Sequence, residues 1–182
     1  DVGKLDDVFN QTILFQVRLP RLLEAMLTGA VLTLAGQVYQ IVLNNPLADS
    51  FTLGLASGAS LGSGIALFLG LSFLWFPIFS IIFSLITLLL VLSVSAMLAK
   101  GYPVQMLILT GLLLGALLNA LLYLLVLINP KKMNPIASYL FGGFSSAEYQ
   151  DVMIISMIAS VAIIVLFLMQ KGIKLLQVGE LK

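Results

Sequence analysis

Arg18 and Arg21 stand three residues apart at the head of a long apolar run, in a chain with neither histidine nor cysteine. A guanidinium pairs with a carboxylate through two parallel hydrogen bonds, and a step of three puts both arginines on one side of a helix start. Such a pair can grip acidic side chains of a partner. It can equally anchor a helix at lipid headgroups, and Glu24, one turn on, can pair with Arg21. Further along the same run Gly29, Thr33, Gly36 and Gln40 fall at steps of four, three and four, with Gln37 one turn beyond Thr33, so they share one helix face. An amide in hydrocarbon must find a partner or cost a few kcal/mol, so this stripe points either at another helix or at water, as a seam or as the lining of a path.

Without His and Cys, disulfides, the usual zinc sites and thiol or imidazole catalysis are excluded. Neither a metal site nor a cofactor is expected. The glycine-rich run Gly54 to Gly62 fails as a phosphate loop because no Gly-Lys-Ser/Thr follows it. No ATPase chemistry is therefore expected of this chain. Gly54, Gly58 and Gly62 instead repeat every four residues with Ala66 next, and Gly111, Gly115 and Asn119 repeat the device. Ladders of this kind let helix backbones approach closely where lipid gives no hydrophobic drive.

The elements that must position these residues follow from composition. Of the 182 residues 60% are apolar and only 9% charged, against roughly a quarter charged in soluble domains, and the mean hydropathy is +1.13. Apolar runs near twenty residues recur in series, the length a helix needs to cross a bilayer. The fold class is all-α, a polytopic transmembrane helical bundle. Five spans are expected, over about 22–43, 52–69, 78–99, 104–128 and 152–170, with a short interfacial helix and turn in 134–146. Pro20 suits the first turn of the first span. Pro46 cannot continue that span and pushes Asn45 out of the α region, so the chain reverses over Asn44 to Ser50, where Asp49 or Ser50 can cap the next helix.

Five crossings put the two ends on opposite faces, but charge barely chooses between them. Lys4, Arg18, Arg21, Lys131 and Lys132 collect on one side and Lys100, Lys171, Lys174 and Lys182 on the other. A net charge of +1 without a basic cluster argues against nucleic acid. The chain opens on Asp1 with no signal-peptide pattern and looks like a piece of something longer.

Taken in order, Arg18-Leu19-Pro20-Arg21, Gly29-Ala30, Gly36, Gln40, Asn45-Pro46-Leu47-Ala48-Asp49, Leu53-Gly54 and Ser57-Gly58-Ala59 resemble the FecCD or BtuC-like family. These are the membrane permeases of bacterial ABC importers for iron-siderophore, haem and cobalamin. Thr110-Gly111, Phe141-Gly142-Gly143-Phe144 and Gly179-Glu180 add to the match, while Ser50 stands where the family often has proline. The resemblance implies a subunit about twice this length with ten helices, of which this chain looks like the second to sixth, a partial permease domain over 1–182. It implies a homodimer in the bacterial cytoplasmic (inner) membrane, served by cytoplasmic ATPases and an extracytoplasmic substrate-binding protein. The cargo would be an iron chelate, carried inward by alternating access. Cobalamin import is the alternative within the family. A non-transporting scaffold or receptor subunit is the alternative outside it, and a channel is disfavoured because no ring of charge lies at mid-membrane depth.

The resemblance also implies an orientation, with Arg18 and Arg21 outside and docking the binding protein. Asn45, Pro46 and Leu47 then form half of a cytoplasmic gate, with Val104 and Gln105 as the other half. Gly29, Thr33, Gly36, Gln37 and Gln40 line the pathway. Gly54, Gly58, Gly62, Gly111 and Gly115 serve helix packing.

Overall fold

The computed structural model describes residues 9–72, 74–98, 103–144 and 147–178; Lys4, Lys100 and the Gly179-Glu180 pair lie outside the described residues. Among the described residues there are six α-helices: α1 (Leu19–Val42), α2 (Leu55–Phe68), α3 (Trp75–Leu98), α4 (Pro103–Ile128), α5 (Met133–Phe141) and α6 (Tyr149–Val178). A π-helical stretch, Ile13–Arg18, leads into α1, and a 3-10 turn, Pro130–Lys132, leads into α5. Every regular element among the described residues is helical, as hydrocarbon demands of a backbone that must satisfy its own hydrogen bonds.

Among the described residues four stretches are long and apolar enough to cross a bilayer: Phe9–Val42, Trp75–Leu98, Val104–Ile128 and Tyr149–Gly172. The expected crossing over 52–69 is a helix of only 14 residues, about 21 Å long at 1.5 Å per residue, against a hydrocarbon core of about 30 Å. A turn occupies the residues before Leu55. Asp49 Oδ1 accepts the backbone N–H groups of Phe51 and Thr52, both at 2.9 Å, and the Thr52 hydroxyl donates back to the Asp49 carbonyl at 2.7 Å. Asp49 thus closes this turn and does not cap α2 as the sequence suggested. The N-cap is Gly54, in the left-handed region with φ 69 and no side-chain cap.

The described residues pack as two compact units, one made of residues up to Asn44 with those from Gly143 onward, the other of Asn45–Gly142. In the first, α1 packs on α6. Val31, Leu34, Ala35, Val38 and Tyr39 of α1 and Ala162, Val165 and Leu166 of α6 line the seam between them. Pro20 does not start the helix. The helix runs unbroken from Phe9 to Val42, and Pro20 lies buried within it. A proline inside a helix lacks the N–H of one rung and crowds the carbonyl four residues back. The stretch before it widens accordingly: the Leu19 N–H donates to the Leu14 carbonyl, five residues back.

In the second unit α2 is buried along most of its length, with Ser57, Gly58, Leu61, Gly62, Ser63, Gly64 and Ala66 all inaccessible. A glycine inside a helix costs about 1 kcal/mol against alanine, and close approach of neighbouring backbones offsets it. A side chain at Gly58 would collide with Thr87, and one at Gly62 with the Phe79 carbonyl, both on α3. Gly54 faces α4 instead, where an added Cβ would lie 2.8 Å from the Gly111 carbonyl and 3.4 Å from the Gly115 nitrogen. The ladder read from sequence as one face therefore serves two partners. Leu61, Leu122 and Ile136 join α2, α4 and α5 in one apolar cluster.

Helix α5 is held by an edge-to-face pair, Phe76 with Tyr139, centroids 5.2 Å apart. Burial raises the Tyr139 phenol above its ordinary pKa, against a lowering hydrogen bond with Ser80. The Lys132 ammonium donates to the Leu67 carbonyl at 3.3 Å, a cation on the C-terminus of α2. Helix α5 ends at Gly142, φ 68. Outward-facing Ile81, Leu85, Leu89 and Leu92 of α3 are exposed, as a lipid-facing stripe requires.

Candidate functional site

Residues 29, 33, 36 and 40 occupy the side of α1 opposite 31, 34, 35 and 38, which line its seam with α6. A Cβ added at Gly29 or Gly36 meets nothing within 4 Å. Gly29, Thr33, Gln37 and Gln40 are exposed and Gly36 half-exposed. The Thr33 hydroxyl donates to the Gly29 carbonyl at 2.7 Å, so its polarity is spent inside the helix. That leaves the amides of Gln37 and Gln40 as the groups on this face that call for water or a partner.

The turn after α1 opens with Asn44 in the left-handed region, φ 46, the usual helix terminator after glycine. In the second unit, Asn45 Oδ1 accepts the Leu47 N–H at 3.0 Å, an Asx-type turn that holds Pro46 at the tip. Leu47 is 82% exposed while Ala48, one residue on, is fully buried and anchors the turn. Val104 and Gln105 open α4, half-buried and exposed respectively. They precede Gly111, where an added Cβ would collide with Thr52 and Leu53, by about two turns of helix. Gly111 thereby ties α4 to the turn that precedes α2.

Arg18 is exposed and closes the π-helical stretch, where with Asn10, Ile13 and Leu14 it lines a cavity of about 220 Å³. Arg21 is exposed one step beyond. Glu24, half-buried one turn beyond Arg21, adds a carboxylate to this end of α1. Among the described residues no three acidic side chains gather in a group that could hold a metal ion.

One polar contact here does not follow from residue spacing. The Asn119 amide donates to the Ser57 hydroxyl at 3.2 Å, across α4 and α2. Asn119, Ser60, Tyr123, Met133, Ile136 and Phe141 line a cavity of about 330 Å³ in the second unit. The signal was present, since Asn119 continues the Gly111, Gly115 step, but spacing alone does not name the partner.

The sequence matches the FecCD transport family over residues 2–182. It is 36% identical over 169 residues to a probable iron chelatin transport system permease of Helicobacter pylori (strain J99), covering 92% of this chain and 51% of that one. It is 36% identical over 149 residues to the molybdate import system permease MolB of Haemophilus influenzae, covering 81% of this chain and 44% of that one. Its fold is similar to a solved metal-chelate type ABC transporter in an inward-facing conformation, with TM-score 0.80 and 33% identity over 91% of this chain and 53% of that one. The chain spans about half the length of the curated relatives it matches. The motifs, the membrane-length helices and this match agree: the chain belongs to the FecCD transport family, the ABC-transporter permeases, and is a multi-pass protein of the bacterial cytoplasmic membrane.

Proposed function

We propose that the chain forms part of a permease domain that moves an iron chelate inward by alternating access, as one subunit of a homodimer. A cytoplasmic ATPase supplies the energy and an extracytoplasmic binding protein delivers the cargo. The observation that carries this reading is the α1 face bearing Gln37 and Gln40, turned away from the α6 seam. Small residues at Gly29 and Gly36 keep that face flat, and two amides give it hydrogen-bonding capacity without fixed charge. Such a wall suits a bulky chelate that must slide past and leave. Arg18 and Arg21 serve docking on the outer side. Asn45, Pro46 and Leu47, with Val104 and Gln105, serve the inner gate.

The iron-chelate assignment draws on the relative named for iron chelatin; the relative named for molybdate import, at the same identity, supports a second cargo reading. Uptake into proteoliposomes carrying the full-length permease, its ATPase and its binding protein tests both. ATP-dependent uptake of a ferric siderophore is expected, with little for molybdate or cobalamin. Uptake of molybdate or cobalamin alone would reassign the cargo. No ATP-dependent uptake of any of them, in an assembled complex, would favour a non-transporting scaffold.

A further inference from the structure

The π-helical stretch before Pro20 creates a backbone vacancy, and a side chain from another helix fills it. The Leu19 N–H is committed to the Leu14 carbonyl, five residues back. In the same register the next rung would run from residue 20 to the Phe15 carbonyl. Residue 20 is proline and has no N–H to give. The Tyr149 hydroxyl, from the first turn of α6, donates to that carbonyl. Tyr149 is itself held in place, because Asp151 Oδ2 accepts the Glu148 N–H at 3.0 Å and so fixes the start of α6.

We infer that Tyr149 is a positioning residue: by supplying the donor that Pro20 lacks, it holds the widened turn and so sets the direction in which Arg18 and residues 9–18 leave α1. A π-turn inserts one residue relative to an α-helix, so its collapse would rotate everything before it by about 100° against everything after it. Arg21 lies after the turn and Arg18 closes it, so their spacing as a pair depends on the turn persisting. For its functional consequence the inference rests on the docking reading of these arginines.

The aromatic body of Tyr149 is 49% exposed, so Tyr149→Phe removes the hydroxyl with little change in packing. In the full-length permease, hydrogen exchange of peptides covering residues 13–21 is expected to speed up about five- to tenfold, the range one net hydrogen bond supports. Pro20→Ala restores a backbone donor. In that background Tyr149→Phe should change exchange less than twofold, a suppression that loss of general packing would not give. Binding-protein affinity should follow the same pattern. An exchange response without an affinity response would uphold the positioning of the turn and overturn the docking reading. No exchange response, or an undiminished one in the Pro20→Ala background, would overturn the inference.

Discussion

Gly111 presents its bare α-carbon to the backbone carbonyl of Thr52, close enough that even a methyl group cannot fit between them. The obstacle is main chain on both sides, so no rotamer change relieves it. Gly111→Ala should therefore destabilise the second unit by ~1–3 kcal/mol, the usual cost of overpacking. Gly29→Ala is the internal control. Its added methyl meets nothing within 4 Å, and alanine is the better helix former, so stability should hold or rise. Thermal unfolding of the detergent-solubilised full-length permease compares the two. Equal midpoints for both variants would contradict the packing described here.

Arg18 and Arg21 reversed together to Glu should weaken binding-protein docking and lower transport without loss of expression. The effect should shrink with salt, since exposed charges are screened over about 10 Å at 0.1 M. Affinity measured across a salt series decides it. Unchanged affinity at every salt concentration would leave the pair as headgroup anchors.

The legible part of this fold is what the bilayer dictates. Long apolar runs must be helices, and the runs around α1, α3, α4 and α6 appear where composition put them, because lipid removes every other choice for the backbone. Pro20 suits a helix start by sequence because proline favours the first turn, yet it also tolerates a helix interior when a neighbour repairs the missing rung. The repair comes from Tyr149, 134 residues from Phe15 in the chain, and no local pattern encodes it. Gly54 was grouped with Gly58 and Gly62 by periodicity, yet its positive φ takes it out of the helix and toward α4. The polar stripe of α1 was visible in the sequence as a stripe. Which side of α1 meets α6 was not, because apolar residues occur all round the helix.

Leu47 stands 82% exposed beside Pro46 in this turn, while Ala48 is buried and the Asp49 hydrogen bonds close the turn behind it. As an inner gate it should approach its symmetry mate in the inward-closed state. Leu47→Cys in both protomers of an otherwise cysteine-free permease is expected to crosslink, with a yield that changes between nucleotide-free and ATP-bound complexes. A yield indifferent to nucleotide in a transport-competent background would remove the gate from this turn.

On the face of α1 opposite the α6 seam, Gln40 is the most informative position. Its amide needs partners that lipid tails cannot give, so a path wall keeps it wet in at least one state of the cycle. Gln40→Leu should leave assembly nearly intact, at a cost of about 0.6–2 kcal/mol for a membrane polar contact, yet alter transport rate or cargo preference. Gly36→Trp should impair transport more strongly. The most direct measurement is the reaction of a cysteine at position 40, in the cysteine-free full-length permease, with a water-soluble thiol reagent in each nucleotide state. Reaction that rises in one state and falls in another is the predicted result; complete inertness in every state would contradict it and return the stripe to helix packing.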